Sequence, residues 1–311
     1  MSAFWQKAPR VSQRQKPLAS HLYPMPIIVG SPRSGTTLLR LMLDSHPELT
    51  IPPETGFLTL APKLRGTGDK LREKFLRAVT TYPQPTPNWP DFEISENAFR
   101  AALTDIVPFT VPEGFRAFYQ LYAARIGKPR WGDKTPLYCL KLDVIRRVLP
   151  EARFIHIIRD GRDSALSLRE MRFSPGRKIE TQAAYWRKNI LSARRAGLGR
   201  PDYMEVRYED LILNTRVALE RICAFVGLSY EESMLHYYTR APERLREHKG
   251  RLRPDGTPLL TREQRVSQQQ RATEPPDPAC VFAWKQSMSP EERKNFQRVA
   301  GALLKDLGYE I

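Results

Sequence analysis

The string Gly30-Ser31-Pro32-Arg33-Ser34-Gly35-Thr36-Thr37 narrows the options for this chain more than any other. It is preceded by Pro26-Ile27-Ile28-Val29, a short apolar run ending in Gly30, which predicts a buried strand. It leads into TTLLRLMLD, Thr36 to Asp44, where apolar residues fall on more than one face, as in a buried helix. A strand, a glycine-bearing loop and a helix follow in order. Such a loop lets backbone N–H groups approach a phosphate, and the positive end of the helix points at the same place.

The string is close to the P-loop pattern Gly-x4-Gly-Lys-Ser/Thr, but Thr36 stands where that pattern has lysine. An NTPase uses that lysine on the β- and γ-phosphates. Here the cation is Arg33, inside the loop, which predicts a shorter anionic group. No aspartate closes an apolar strand in the manner of a Walker B segment; the nearest equivalent ends in Arg159. A nucleotide kinase or NTPase is thus the weaker alternative. The bland alternative is a turn of small residues made for tight packing.

Further strands are predicted at Arg153 to Arg159 and Tyr203 to Val206. Helices follow near Asp163 and from Val217 to Phe225. Alternation of this kind predicts an α/β fold of three layers, a central parallel sheet covered by helices on both faces. Residues 1–24 read as a loose polar arm, and residues 25–311 as one domain. A cap of helices and loops is expected at about 60–127: residues 81–92 are proline-punctuated, and residues 95–127 read as helices broken near Pro108 and Pro112. Residues 240–280 read as a long mobile loop or a segment that orders on binding. Ser289, Pro290 and Glu292 mark the start of a last helix.

A second anion site is predicted where Arg159 ends its strand, with Ser167 two helical turns further on. An Arg159–Asp160 surface pair is the competing reading. Taken together, Pro-Arg-Ser-Gly-Thr-Thr (32–37) and Arg-Asp-Gly-Arg-x4-Ser (159–167) resemble the family of sulfotransferases that use 3′-phosphoadenosine 5′-phosphosulfate (PAPS). The resemblance implies a P-loop-like fold, PAPS as sulfuryl donor, PAP as product and no metal. It assigns Arg33, Ser34, Gly35, Thr36 and Thr37 to the 5′-phosphosulfate, Arg159 and Ser167 to the 3′-phosphate, and Tyr208 to the nucleotide pocket. A non-catalytic PAPS- or PAP-binding module remains the third alternative.

Sulfuryl transfer needs a base for the acceptor hydroxyl and cations for the moving charge. Glu54, in the rigid Ile51-Pro52-Pro53-Glu54 loop, matches the catalytic glutamate of tyrosylprotein-type relatives; otherwise it would be the acid that begins a helix. His46 and Asp133 are the fallback bases. Lys134, in Asp133-Lys134-Thr135-Pro136, resembles the catalytic lysine segment of Golgi-type relatives; its bland reading is a surface pair with Asp133. Arg33 would share the catalytic charge. The string Val281-Phe282-Ala283-Trp284-Lys285 departs from relatives by lacking polar groups before the tryptophan, leaving Lys285 or Ser287 as substitutes.

The chain has 50 Lys+Arg against 34 Asp+Glu, a net charge of +16. A positive field suits a nucleotide, an acidic acceptor or peripheral contact with an anionic membrane, and no nucleic-acid motif is present. No apolar run is long enough to span a membrane, and the first residues lack a secretory core, so a cytoplasmic protein is expected. Cys139, Cys223 and Cys280 fall in no metal-ligand spacing, and His156 reads as a strand residue. The acceptor and the oligomeric state are not legible. Phe109, Phe115, Phe118, Tyr119 and Tyr122 read as core rather than as an acceptor pocket.

Overall fold

The computed structural model describes residues 23–311, so the expected arm lies almost wholly outside the described residues. Strand β1 (Met25–Gly30) enters the glycine loop, followed by α1 (Thr36–Asp44) and the short β2 (Leu49–Thr50). Helices α2 (Gly68–Thr80), α3 (Glu96–Thr104) and α4 (Val111–Ile126) lie in the predicted cap. Next come β3 (Arg130–Trp131), β4 (Asp133–Lys134), α5 (Leu142–Val148), β5 (Ala152–Ile158), α6 (Gly161–Leu168) and α7 (Ile179–Gly197). The chain continues through β6 (Tyr203–Arg207), α8 (Tyr208–Leu213) and α9 (Thr215–Val226). After α10 (Ala241–Leu245), strands β7 (Arg251–Leu252) and β8 (Pro258–Leu260) pair antiparallel, and α11 (Arg262–Ser267), α12 (Trp284–Ser287) and α13 (Pro290–Asp306) complete the fold. Among the described residues no helix is long and apolar enough to cross a membrane.

The central sheet has the order β4-β1-β5-β6 and is parallel throughout. Its strands alternate between two cores. Met25, Ile27 and Val29 face one core with the aromatic residues of the cap, while Ile28 faces the other with Leu39, Leu43 and Leu219. Both faces are covered, which is why β1 is apolar and buried along its whole length. Each such side chain contributes about 1.5–3 kcal/mol of burial. Phe109, Phe115, Phe118, Tyr119 and Tyr122 are all buried, with Phe118 in edge contact with Phe57 and Phe92 at centroid distances of 4.9 Å. They are core, as expected.

The helix break expected near Pro108 and Pro112 is present: α3 ends at Thr104 and α4 starts at Val111, with Pro112 in its first turn, where a missing N–H costs nothing, after the N-cap Thr110. Two other expectations shift. The helix expected from near Asp163 starts at Gly161, because Asp160 caps it and accepts from the Arg162 N–H at 2.9 Å. Residues 240–280 carry α10, the β7–β8 hairpin and α11. Arg251 and Arg265 both reach the buried Asp91, at 2.9 Å to Oδ1 and 2.8 Å to Oδ2 respectively. Partners that far apart in sequence leave no local signal.

Register then gathers the cations. Gly30 lies beside Ile157 and Ile28 beside Lys134, so Arg33, Lys134 and Arg159 all emerge at the carboxyl edge of the sheet. That edge is where open parallel sheets bind ligands.

Candidate active site

The loop after β1 is held in a form that only its sequence tolerates. Gly35 has φ of +96°, and a Cβ there would stand 2.5 Å from the Tyr208 ring. Arg33 also has positive φ, 68°, uncommon for a residue with a side chain. Ser31 accepts from the Ser34 N–H at 3.2 Å, closing the turn. On the outer side, Asn189 of α7 donates to the Ser31 hydroxyl at 3.3 Å. Ser34 Oγ is buried without a partner.

Arg33, Arg159, Ser167 and Tyr208 meet as the motifs predict, with one difference. The Arg33 guanidinium itself donates to Ser167 Oγ at 3.0 Å, so the two expected anion sites share a hydrogen bond. Arg159 donates to the Arg33 carbonyl at 3.3 Å and to the Cys280 carbonyl at 2.8 Å, and its guanidinium stacks 4.4 Å from the Tyr208 ring centre. Arg159 Nε is buried and unpartnered. The competing Arg159–Asp160 pair does not form: the Asp160 carboxylate binds Arg162 at 2.8 Å. Burial, then the neighbouring Arg159 and Arg271, push the Arg33 guanidinium below its ordinary value. Crowded cations and orphaned donors are what an anion would relieve.

The chemistry-bearing loop is hung from α1. Asp44 Oδ1 accepts from the Ile51 N–H at 2.7 Å, and Arg40 Nε donates to the Ile51 carbonyl at 2.9 Å. Thr55, next to Glu54, donates to Asp133 Oδ2 at 2.6 Å. Glu54 therefore does not begin a helix; the next helical turn starts at Phe57. Its carboxylate, half exposed, sits 2.5 Å from Lys134 Nζ, which also lies 3.4 Å from Thr37 Oγ1. Lys134 is 3% exposed, so the surface pair with Asp133 is not formed. Burial lowers the Lys134 pKa, and Glu54 opposes that shift.

Neither fallback base is available. His46 Nδ1 accepts from the Glu48 N–H at 3.1 Å, and Nε2 lies 2.9 Å from the Ser229 carbonyl, which uses both ring nitrogens in the turn. Asp133 is fully buried beneath Thr55 and Tyr119. Burial raises its pKa to about 6 against the hydrogen bonds from Thr55 and Tyr119. The sequence offered no sign that Arg40, Asp44, Thr55 and Asn189 support this site; each acts through a contact between distant segments.

The departing C-terminal string docks through its backbone. The Trp284 N–H donates to Asp163 Oδ1 at 2.8 Å, and the Arg162 guanidinium lies 3.5 Å from the Trp284 ring centre. Lys285 is exposed and pairs with Glu310 at 2.5 Å, and Ser287 is exposed as well.

A glycine loop on a parallel sheet, with arginines at the strand ends and a buried lysine against a carboxylate, places a candidate anion site on an α/β fold of the P-loop-like type. The chain belongs to the sulfotransferase family, whose model matches residues 24–232. It is 28% identical over 222 residues to protein-tyrosine sulfotransferase 2 of Gallus gallus, covering 69% of this chain and 54% of that protein. It is also 28% identical over 314 residues to nodulation protein NoeE of Sinorhizobium fredii, covering 92% and 67%. The chain spans about half the length of the tyrosine sulfotransferases it matches. The sulfotransferase domain of the Synechococcus PCC 7002 olefin synthase superposes with a TM-score of 0.58 at 25% identity, covering 96% of this chain and 100% of that one.

Proposed function

We propose that this protein transfers the sulfuryl group of PAPS to an acceptor hydroxyl, releasing PAP. The observation that carries this reading is Lys134, which touches both Glu54 and Thr37 and so spans the acceptor base and the phosphate loop. The residues fit the donor: Ser34 Oγ and Arg159 Nε are buried donors without partners, in a loop whose Gly35 packs directly against the Tyr208 ring. PAPS supplies an activated sulfuryl group. Glu54 takes the proton of the acceptor hydroxyl as its oxygen bonds to sulfur. Lys134 places a point charge where the bridging oxygen departs, and Arg33 neutralises charge on the sulfuryl and phosphate oxygens. Arg159, Ser167 and the Tyr208 face hold the 3′-phosphate end of the nucleotide. Family membership and the absence of a lysine at position 36 both weigh against a kinase.

The test is a comparison of ligands followed by transfer. PAP is expected to bind at least about tenfold more tightly than AMP, since one charge-assisted hydrogen bond is worth roughly 1.5–3 kcal/mol. Radiolabelled PAPS incubated with cell extract is expected to yield a sulfated product, identifiable by mass spectrometry. Equal PAP and AMP affinity, or donor binding with no transfer, would remove the reading.

A further inference from the structure

His248 belongs to none of the groups described so far, yet both its neighbours are tied to the active site. Glu247 receives Arg40 of α1 at 3.3 Å and the Tyr122 hydroxyl at 2.8 Å. On the other side, the Lys249 N–H donates to Asp91 Oδ1 at 2.9 Å. Asp91 also holds Arg251, whose guanidinium reaches Asn88 Oδ1 at 2.9 Å, and Asn88 donates to the Glu54 carbonyl at 3.0 Å. Residue 248 is thus strung between the helix that follows the phosphate loop and the loop that presents Glu54.

One nitrogen of the ring is unsatisfied. His248 Nδ1 is buried with no hydrogen-bond partner, a condition that in a native fold calls for a water, a ligand or a functional role. Burial, then Arg40 and Arg265, lower its pKa to about 3, with Lys134 adding to them and Asp91 opposing. The imidazole is therefore neutral, with one N–H to donate.

Glu54 alone holds an acceptor hydroxyl by its proton and leaves the oxygen free to swing. We propose that His248 is a second acceptor-binding residue, its ring N–H donating to the acceptor oxygen while Glu54 receives the proton. This rests on the sulfuryl-transfer reading. The acceptor oxygen then has one lone pair on His248 and one aimed at sulfur. In the step, the O–H bond breaks toward Glu54, the new S–O bond forms, and the old bond from sulfur to the phosphate oxygen breaks with its electron pair leaving on PAP. His248 keeps its proton throughout and contributes orientation.

The experiment compares wild type with His248→Asn, whose amide can replace the ring N–H, and His248→Phe, which cannot. Thermal stability, PAP affinity and transfer from labelled PAPS to p-nitrophenol and N-acetyltyrosinamide are measured on all three. In parallel, ring-labelled histidine resonances are followed as p-nitrophenol is added to the PAP complex. We expect His248→Phe to lose about 10- to 100-fold in kcat/KM for the acceptor, with PAP affinity held within about twofold. His248→Asn should recover much of that loss, and the His248 ring resonances of the wild type should shift. Unchanged kcat/KM in His248→Phe, ring resonances blind to p-nitrophenol, or unfolding of both variants would each overturn the assignment. Wild-type protein that binds PAP no better than AMP overturns the sulfuryl-transfer reading instead. Should neither acceptor be turned over, the ring resonances alone decide the place of His248.

Discussion

The Lys134 ammonium and the Glu54 carboxylate meet at 2.5 Å across 80 positions of sequence. The two ends of this pair differ in environment: Lys134 is buried, and Glu54 is half open to solvent. The arrangement gives the lysine a fixed place beside Thr37 and leaves one face of the carboxylate free for an acceptor. It also makes the two residues unequal in what their removal should cost.

Glu54→Gln keeps shape and an acceptor for Lys134 but cannot take a proton. Turnover is expected to fall about 10²–10⁴-fold, with PAP affinity nearly unchanged. Because the lysine loses its counter-charge while buried, the melting temperature should drop modestly as well. Steady-state kinetics and a thermal melt on the same variant check both parts. Near-normal kcat would place the base elsewhere.

Lys134→Ala should act on the transition state. A charge on the departing oxygen matters most when that oxygen is leaving, so kcat should fall far more than donor affinity. Calorimetry with PAP alongside single-turnover transfer separates the two. If donor binding collapses while kcat survives, the lysine serves binding only.

Asp133 makes a forecast about pH. Its folded pKa, about 6, lies above the ordinary 3.8, so the folded state holds the proton more tightly than the unfolded state does. The stability this gives is fully present below about pH 4 and is lost as pH rises through 6. Wild type should therefore gain stability relative to Asp133→Asn on going from pH 7 to pH 4. A pKa raised that far corresponds to about 3 kcal/mol. Denaturant titrations of both proteins at several pH values test this; parallel curves would show that Asp133 titrates normally.

Asp91 is the buried anion between Arg251 and Arg265, and its carboxylate is held below the usual range despite burial, because both guanidinium groups hydrogen-bond to it. Asp91→Ala leaves two cations facing each other, a loss of about 3–5 kcal/mol for a broken buried pair. Hydrogen exchange should rise in residues 249–267 before the rest of the domain. Uniform protection across that segment would mean that other contacts hold it.

How far this site could be read from sequence differs from residue to residue. The grouping of Arg33, Gly35 and Thr37 was legible because all three fall within one contiguous strand, loop and helix. Arg159 and Ser167 were legible for the same reason, since a strand end and two helical turns fix where both can reach. The last helix announced itself through Ser289 and Glu292, whose reciprocal capping bonds form at 3.2 and 3.0 Å. The start of α6 was placed two residues late because either Asp160 or Asp163 can begin a helix, and local pattern does not choose.

The sequence by itself determined the alternation of β1, α1, β5, α6 and β6, the phosphate loop and the presence of Glu54 and Lys134, because each is written in a contiguous string whose geometry is local. Only the tertiary structure decided that Lys134 pairs with Glu54 rather than Asp133, that Arg33 binds Ser167, that Asp91 clamps residues 251 and 265, and that His248 is strung between the Arg40 and Asp91 contacts. The reason is physical. Register in the parallel sheet, Ile28 against Lys134 and Gly30 against Ile157, chooses which loops share an edge, and that choice is set by burial of apolar faces over the whole chain.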